Sequence, residues 1–311
     1  RAKVARSVED IAGELAEIYA ERKTRKGFAF NTDDSEMQKF ELLFPFEETP
    51  DQLEVISTVK ADMESEMPMD RLVCGDVGFG KTEIAMRGAF KAVQQEKQVA
   101  ILVPTTILAQ QHYQTFSQRF EDTPFIIEVI SRFRTEAEQK DILKRLQEGK
   151  IDVIIGTHRL LSTDIKFHDL GLLVVDEEQR FGVKHKEKIK RFRAAVDVLT
   201  LSATPIPRTL HMSLMGLRDL SLVNTPPADR RAVRTRLLPV NDYIIQEAVS
   251  REIRRGGQVF VVHNRVESIY EYGRYLESIL PNIRIAIGHG QMKEQQLEKV
   301  MLDFIEGRFD V

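Results

Sequence analysis

Gly75, Gly80, Lys81 and Thr82 stand at the spacing G-x-x-x-x-G-K-T, directly after a short apolar run and directly before a stretch of helical pattern. Small residues let consecutive backbone N–H groups curl around phosphate oxygens, and a helix that follows points its positive end at them. Lys81 adds a mobile cation and Thr82 a hydroxyl for Mg²⁺. The plainer reading, a glycine-rich turn with a surface lysine, does not require the strand, loop and helix order found here. A second set is LLVVDEEQ at 172–179, an apolar strand ending in three acids. Asp176 at a strand end holds Mg²⁺ through water, while Glu177 orients and deprotonates the water that attacks a terminal phosphate. Two carboxylates are needed because one is committed to the metal. An acidic surface turn is the alternative, and the phosphate loop weighs against it; Glu178 reads as support or surface.

These residues need a scaffold, and the chain alternates in the manner of one. Residues 7–26 read as a charged amphipathic helix with Val8, Ile11, Leu15 and Ile18 on one face, ended by Gly27. Residues 28–46 are polar with interspersed aromatics, and Thr49-Pro50-Asp51 opens a helix. Strands are expected at 71–74, 99–103, 126–130, 153–156, 172–175 and 196–201. Between them helices are expected at 83–94, 107–120 and 136–148, with another at 208–215. Strands apolar on both faces with helical crossovers are the signature of a mainly parallel α/β sheet. The paired prolines in 222–229 mark a linker. Beyond it strands at 233–238, 259–263 and 283–287 and helices at 243–254, 266–280 and 293–306 resume the rhythm without a second phosphate loop.

At 311 residues the chain has room for two ordinary domains. A net charge of −3 argues against a uniformly basic coat but leaves a local basic groove open. The single cysteine, Cys74, cannot make an internal disulfide or a cysteine-rich zinc site, so a reducing cytoplasmic setting and a buried apolar role are expected. No apolar run reaches membrane-spanning length and no secretory leader is evident. The chain lacks an initiating Met and stops at 308–311 where an apolar strand begins, so the termini read as cut.

GDVGFGKT at 75–82, PTTILAQQH at 104–112, GTHRLLS at 156–162, DEEQRFGV at 176–183 and LSATPIPRTL at 201–210 resemble the ordered motifs of superfamily 2 helicases and translocases. With SRFR at 131–134 and IGHGQM at 287–292, the wording is most similar to the bacterial transcription-repair coupling factor family. The resemblance covers practically the whole chain. It implies tandem RecA-like P-loop NTPase lobes with mainly parallel sheets: a lead-in at 1–45, lobe one at 46–222 and a truncated lobe two at 223–311. It implies an ATP- and Mg²⁺-dependent motor on double-stranded DNA that displaces stalled RNA polymerase. Polymerase and nucleotide-excision repair protein A would be partners through regions largely outside this chain.

The resemblance also distributes roles. Phe46, Thr49 and Gln52 look like the adenine-reading element, with Gln52 on the base edge, and Gly75, Asp76, Val77, Gly78, Phe79, Gly80, Lys81 and Thr82 form the phosphate cradle. Gln179 stands where close relatives usually carry histidine; it can still connect the γ-phosphate site to Ser202, Ala203 and Thr204 through neutral hydrogen bonds. Ser202 and Thr204 would carry nucleotide state to lobe movement, with Arg208 at the lobe junction. Thr105, Thr106, Arg132, Arg134, Thr157, His158 and Arg159, with Asn264, Arg265, His289 and Gln291 in lobe two, would track phosphate backbones without reading sequence. The basic run 184–193 suits DNA or an ordinary charged helix equally, and His263 and His289 lack zinc-site spacing.

The family's catalytic arginines lie late in lobe two, past residue 311, so this chain is expected to bind nucleotide and to hydrolyse or move poorly. A branched-DNA remodelling helicase, an ATP-controlled scaffold and a metabolic P-loop kinase are the alternatives; the ordered motifs weaken the last.

Overall fold

The computed structural model describes residues 20, 24–132, 134–193, 195–204, 219–228, 230 and 233–311. Most of the expected helix at 7–26, all of that at 208–215, and Arg208 lie outside the described residues. Two compact units emerge, 1–231 and 232–311.

The first unit is built on one parallel sheet of seven strands in the order β3-β4-β2-β5-β6-β1-β7. The strands are β1 (Asp70–Gly75), β2 (Gln98–Leu102), β3 (Ile127–Ile130), β4 (Val153–Gly156), β5 (Leu170–Asp176), β6 (Asp197–Ser202) and β7 (Asp219–Val223). Successive strand side chains point to opposite faces. Val99 and Ile101 of β2 and Leu172 and Val174 of β5 therefore enter one apolar layer, while Ala100, Leu102, Leu173 and Val175 enter the other. Both layers need covers. On the first face lie α1 (Ser35–Leu42), α2 (Pro50–Met63), α3 (Lys81–Val93) and α4 (Thr106–Arg119), which contribute Phe40, Val59, Ala89 and Phe116. On the second, α5 (Glu136–Gln147) and α6 (Val183–Arg193) contribute Leu146 and Ile189. Truncating a fully buried member such as Ile101 to Ala costs about 2–5 kcal/mol.

The stretch at 28–46 proves more structured than its polarity suggests. Asp34 caps α1 by accepting from the Glu36 and Met37 N–H groups, and Met37 and Phe40 are buried. Two buried cations of α3 fasten this lead-in. Arg87 meets Glu83, Glu41 and Glu48, and Lys91 donates to the Asn31 carbonyl, Asp33 and Glu64 at 2.7–2.8 Å. Such charges are tolerated in the interior only because each is fully paired. These pairs tie the helix behind the phosphate loop to the lead-in.

β7 was not expected, and it carries the first unit past the boundary anticipated at 222; each of its residues pairs with β1, Asp219 with Arg71 through Val223 with Gly75.

In the second unit α7 (Asp242–Arg254), α8 (Ile269–Ile279) and α9 (Glu294–Ile305) match the helical expectations, around a small core of Val249, Leu276, Leu280 and Val311. The three strands expected there do not form among the described residues. Val233 and Leu237 are exposed, with no sheet edge to join. The runs at 259–263 and 283–287 reach Asp310 and Val311 instead: Val259 N–H donates to the Asp310 carbonyl, Asp310 N–H to the Arg284 carbonyl and Ala286 N–H to the Val311 carbonyl. Two residues between two runs are too few for a ladder. Among the described residues no helix is long and apolar enough to cross a membrane.

Candidate nucleotide site

β1 delivers Gly75 to the loop, and β7 comes so close that a side chain at Gly75 would meet the Val223 carbonyl at 3.0 Å. Gly78 and Gly80 then adopt φ of +79° and +76°, where side chains with a Cβ are strained. Gly80 is the N-cap of α3, and the Glu83 N–H donates to its carbonyl. The Lys81 ammonium turns back onto its own loop, donating to the Gly75 and Asp76 carbonyls at 2.7 and 2.9 Å. Burial holds its pKa below the usual lysine value, against the opposing pull of Asp176, Glu177 and Asp76. A desolvated cation whose hydrogen-bond partners are neutral carbonyls suits an incoming polyphosphate, which supplies the missing anion.

The side of the loop next to α2 is set by a capping box. Thr49 Oγ1 accepts from the Gln52 N–H at 3.3 Å and Gln52 Oε1 accepts from the Thr49 N–H at 2.8 Å. Gln52 Nε2 donates onward to the Phe79 carbonyl at 2.9 Å, so one amide links the start of α2 to the phosphate loop. A cavity of about 850 Å³ opens beside it, lined among others by Phe46, Gln52, Gly78, Gly80, Thr82 and Arg119. Phe46 is 62% exposed at its rim, edge-on to Phe44. The segment after β7 borders the same cavity through Pro227 and Ala228. It is fastened there twice: Asp51 Oδ2 accepts from the Asn224 and Thr225 N–H groups at 2.8 Å, and Arg230 pairs with Asp76 at 2.8 Å and lies over the Phe79 ring.

β5 ends at Asp176, paired in register with Leu201 of β6. Glu177 follows with φ of +53°, a strained position for a non-glycine residue, held by its N–H donating to the Leu201 carbonyl at 3.1 Å. Gln179 Nε2 donates to Glu177 Oε2, and Arg180 lies 3.8 Å from the same oxygen. Gln179 thereby bonds Glu177, while the Ser202 and Thr204 hydroxyls bond each other at 2.8 Å with Ala203 between them. One contact escaped the sequence reading: His112 of α4 meets Asp176 Oδ2 through Nε2 at 2.9 Å. No cluster of three or more His, Cys, Asp or Glu side chains able to hold a metal occurs among the described residues. Thr82 and Asp176 offer only oxygens, which fits Mg²⁺ bound chiefly by phosphates and water.

The expected backbone-tracking residues fall at several places. Thr105 caps α4, its Oγ1 accepting from the Leu108 N–H, and Thr106 is buried behind it. Thr157 is buried ahead of a short 3-10 turn at His158–Leu161, and His158 stacks on His185 of α6 at 5.2 Å. Arg159 is clasped by both oxygens of Asp164 at 2.6 Å, which raises its pKa, and Arg134 pairs with Glu128 and Glu138. Arg132 sits in the loop that leaves β3, exposed. In the second unit Asn264, Arg265 and Gln291 are exposed, and His289 meets the Tyr270 hydroxyl at 3.0 Å.

A family model for the DEAD/DEAH box helicase matches residues 49–213. The chain belongs to this helicase family. It is 58% identical over 311 residues to the transcription-repair-coupling factor of Escherichia coli (strain K12), and 57% identical to that of Staphylococcus haemolyticus (strain JCSC1435). Each alignment covers 100% of this chain and 27% of the relative, so the chain spans about a quarter of the length of the curated relatives it matches. Among solved structures, RecG bound to a three-way DNA junction superposes with a TM-score of 0.77 at 34% identity, covering 97% of this chain and 41% of that one. The Mycobacterium smegmatis helicase Lhr bound to ssDNA and AMP-PNP, at 18% identity and a TM-score of 0.63, shares the fold. For this helicase-family chain, the motifs at 75–82 and 176–183 fall within the matched residues, as does the Gln52 strut.

Proposed function

We propose that the chain is the ATP-binding part of a translocase on double-stranded DNA, one that displaces stalled RNA polymerase and couples transcription to nucleotide-excision repair. The observation that carries this reading is the 58% identity over all 311 residues to a transcription-repair-coupling factor. Polymerase and repair protein A would be gripped by other parts of the longer protein.

Bound ATP and Mg²⁺ supply a transferable terminal phosphoryl group and the charge that neutralises its oxygens. Lys81 would leave the Gly75 and Asp76 carbonyls to bind phosphate, and the Thr82 hydroxyl and the Asp176 carboxylate would hold the metal through oxygen. Glu177 takes the proton of the attacking water at Oε1, because Gln179 occupies Oε2. Gln52 and Phe46 hold the base, and Ser202 and Thr204 relay the state of the site. Thr105, Arg132 and His158 face the DNA backbone, with Thr157 buried behind them; Arg134 and Arg159 serve there only by sharing their guanidinium groups with Glu128 and Asp164.

Remodelling of branched DNA is the second reading, favoured by the superposition on RecG. ATP turnover by the full-length protein separates the two. Equal stimulation by plain duplex and by a three-way junction supports the translocase, whereas a requirement for the junction rejects it.

A further inference from the structure

His112 lies in the middle of α4, 8% exposed, with its ring against Phe116. A buried imidazole must be hydrogen-bonded, and here the bond goes from Nε2 to Asp176 Oδ2 at 2.9 Å. An ionised carboxylate only accepts, so Nε2 carries the hydrogen. The terminal torsion of an aspartate is broad and nearly two-fold, which leaves an unrestrained carboxylate free to exchange its oxygens. With Oδ2 fixed by His112, Oδ1 is the oxygen left to face the loop. In many metal sites a carboxylate orients the histidine that binds the metal. Here the order is reversed.

We propose that His112 is a positioning residue for Asp176. It holds the carboxylate in the one orientation that serves Mg²⁺ and ties that orientation to α4, whose first residues, Thr105 and Thr106, belong to the proposed DNA-facing loops. His112 lies six helical steps beyond Thr106, about 9 Å of rigid rod. A shift of the loop therefore reaches the carboxylate directly, without passing through the sheet. The inference rests on the nucleotide-site reading above.

The test measures nucleotide affinity of the 311-residue chain as Mg²⁺ is titrated, with EDTA as the metal-free reference, for wild type, His112→Phe and His112→Gln. His112→Phe is expected to leave metal-free affinity unchanged and to raise the Mg²⁺ concentration needed for half of the tightening roughly tenfold. His112→Gln, which keeps an N–H donor of similar reach, restores most of the response. An unchanged Mg²⁺ requirement in His112→Phe overturns the proposal, as does an equal loss with and without metal, the mark of a merely structural role. A wild-type chain that binds no nucleotide overturns the site reading itself and is recognised by that. The imidazole ¹⁵N signals of the wild type give a second measurement independent of any variant. Protonated Nε2 that shifts when Mg²⁺ joins bound nucleotide agrees with the proposal, and an Nε2 without hydrogen overturns it.

Discussion

Gly80 leaves the loop no choice of residue. Its φ is positive, and a Cβ there would press into the Gln52 amide. Gly80→Ala is expected to cost about 1–2 kcal/mol of stability and, by pushing Gln52 off the Phe79 carbonyl, to weaken nucleotide binding; urea unfolding and a nucleotide titration measure the two effects. Lys81→Ala removes the cation that the loop holds on its own carbonyls. MgATP affinity should fall roughly ten- to hundredfold, and unchanged affinity would remove Lys81 from the site. The loop's backbone was legible because its pattern is contiguous: residues 75–82 alone make the turn from β1 into α3, with Gly78 and Gly80 at positive φ. His112 was not, since its partner lies 64 residues away and nothing in a local window joins them.

At the scale of elements, the first unit was legible wherever a strand is buried on both faces or a helix carries its own cap. The α2 capping box and the β2 and β5 apolar runs are examples. α1 was missed because only Met37 and Phe40 among its eight residues are buried, too few for a periodic signal, and its place is fixed instead by ion pairs to distant helices. β7 was missed because its short DLSLV sequence gains strand character only by lying against β1. In the second unit the apolar runs were read correctly as apolar, but a strand needs a neighbour of comparable length. Asp33 shows how the ion pairs work. Burial pushes its pKa up, yet hydrogen bonds from Lys60 and Lys91 carry it below the ordinary 3.8. A lowered carboxylate binds fewer protons folded than unfolded, so its contribution is complete above pH 3.8 and is lost as pH falls through the lowered value. Asp33→Asn should therefore be less stable than wild type at neutral pH and should lose less on acidification, as urea midpoints at the two pH values would record.

For the whole molecule, the division into two units has its own signature. The described stretch 233–241 is exposed throughout and contains Arg234 and Arg236. Brief trypsin treatment should cut there first and leave two resistant fragments, identified by mass; early cleavage within α3 or the sheet would contradict the division. What leaves the first unit does not leave it freely. Asp51 grips Asn224 and Thr225, and Arg230 sits on Asp76 and Phe79. The described segment that follows β7 is thus rooted on the phosphate loop. Displacement of Arg230 by an occupant of the loop would cost the segment after β7 one of its two anchors and leave the Asp51 clasp as the other.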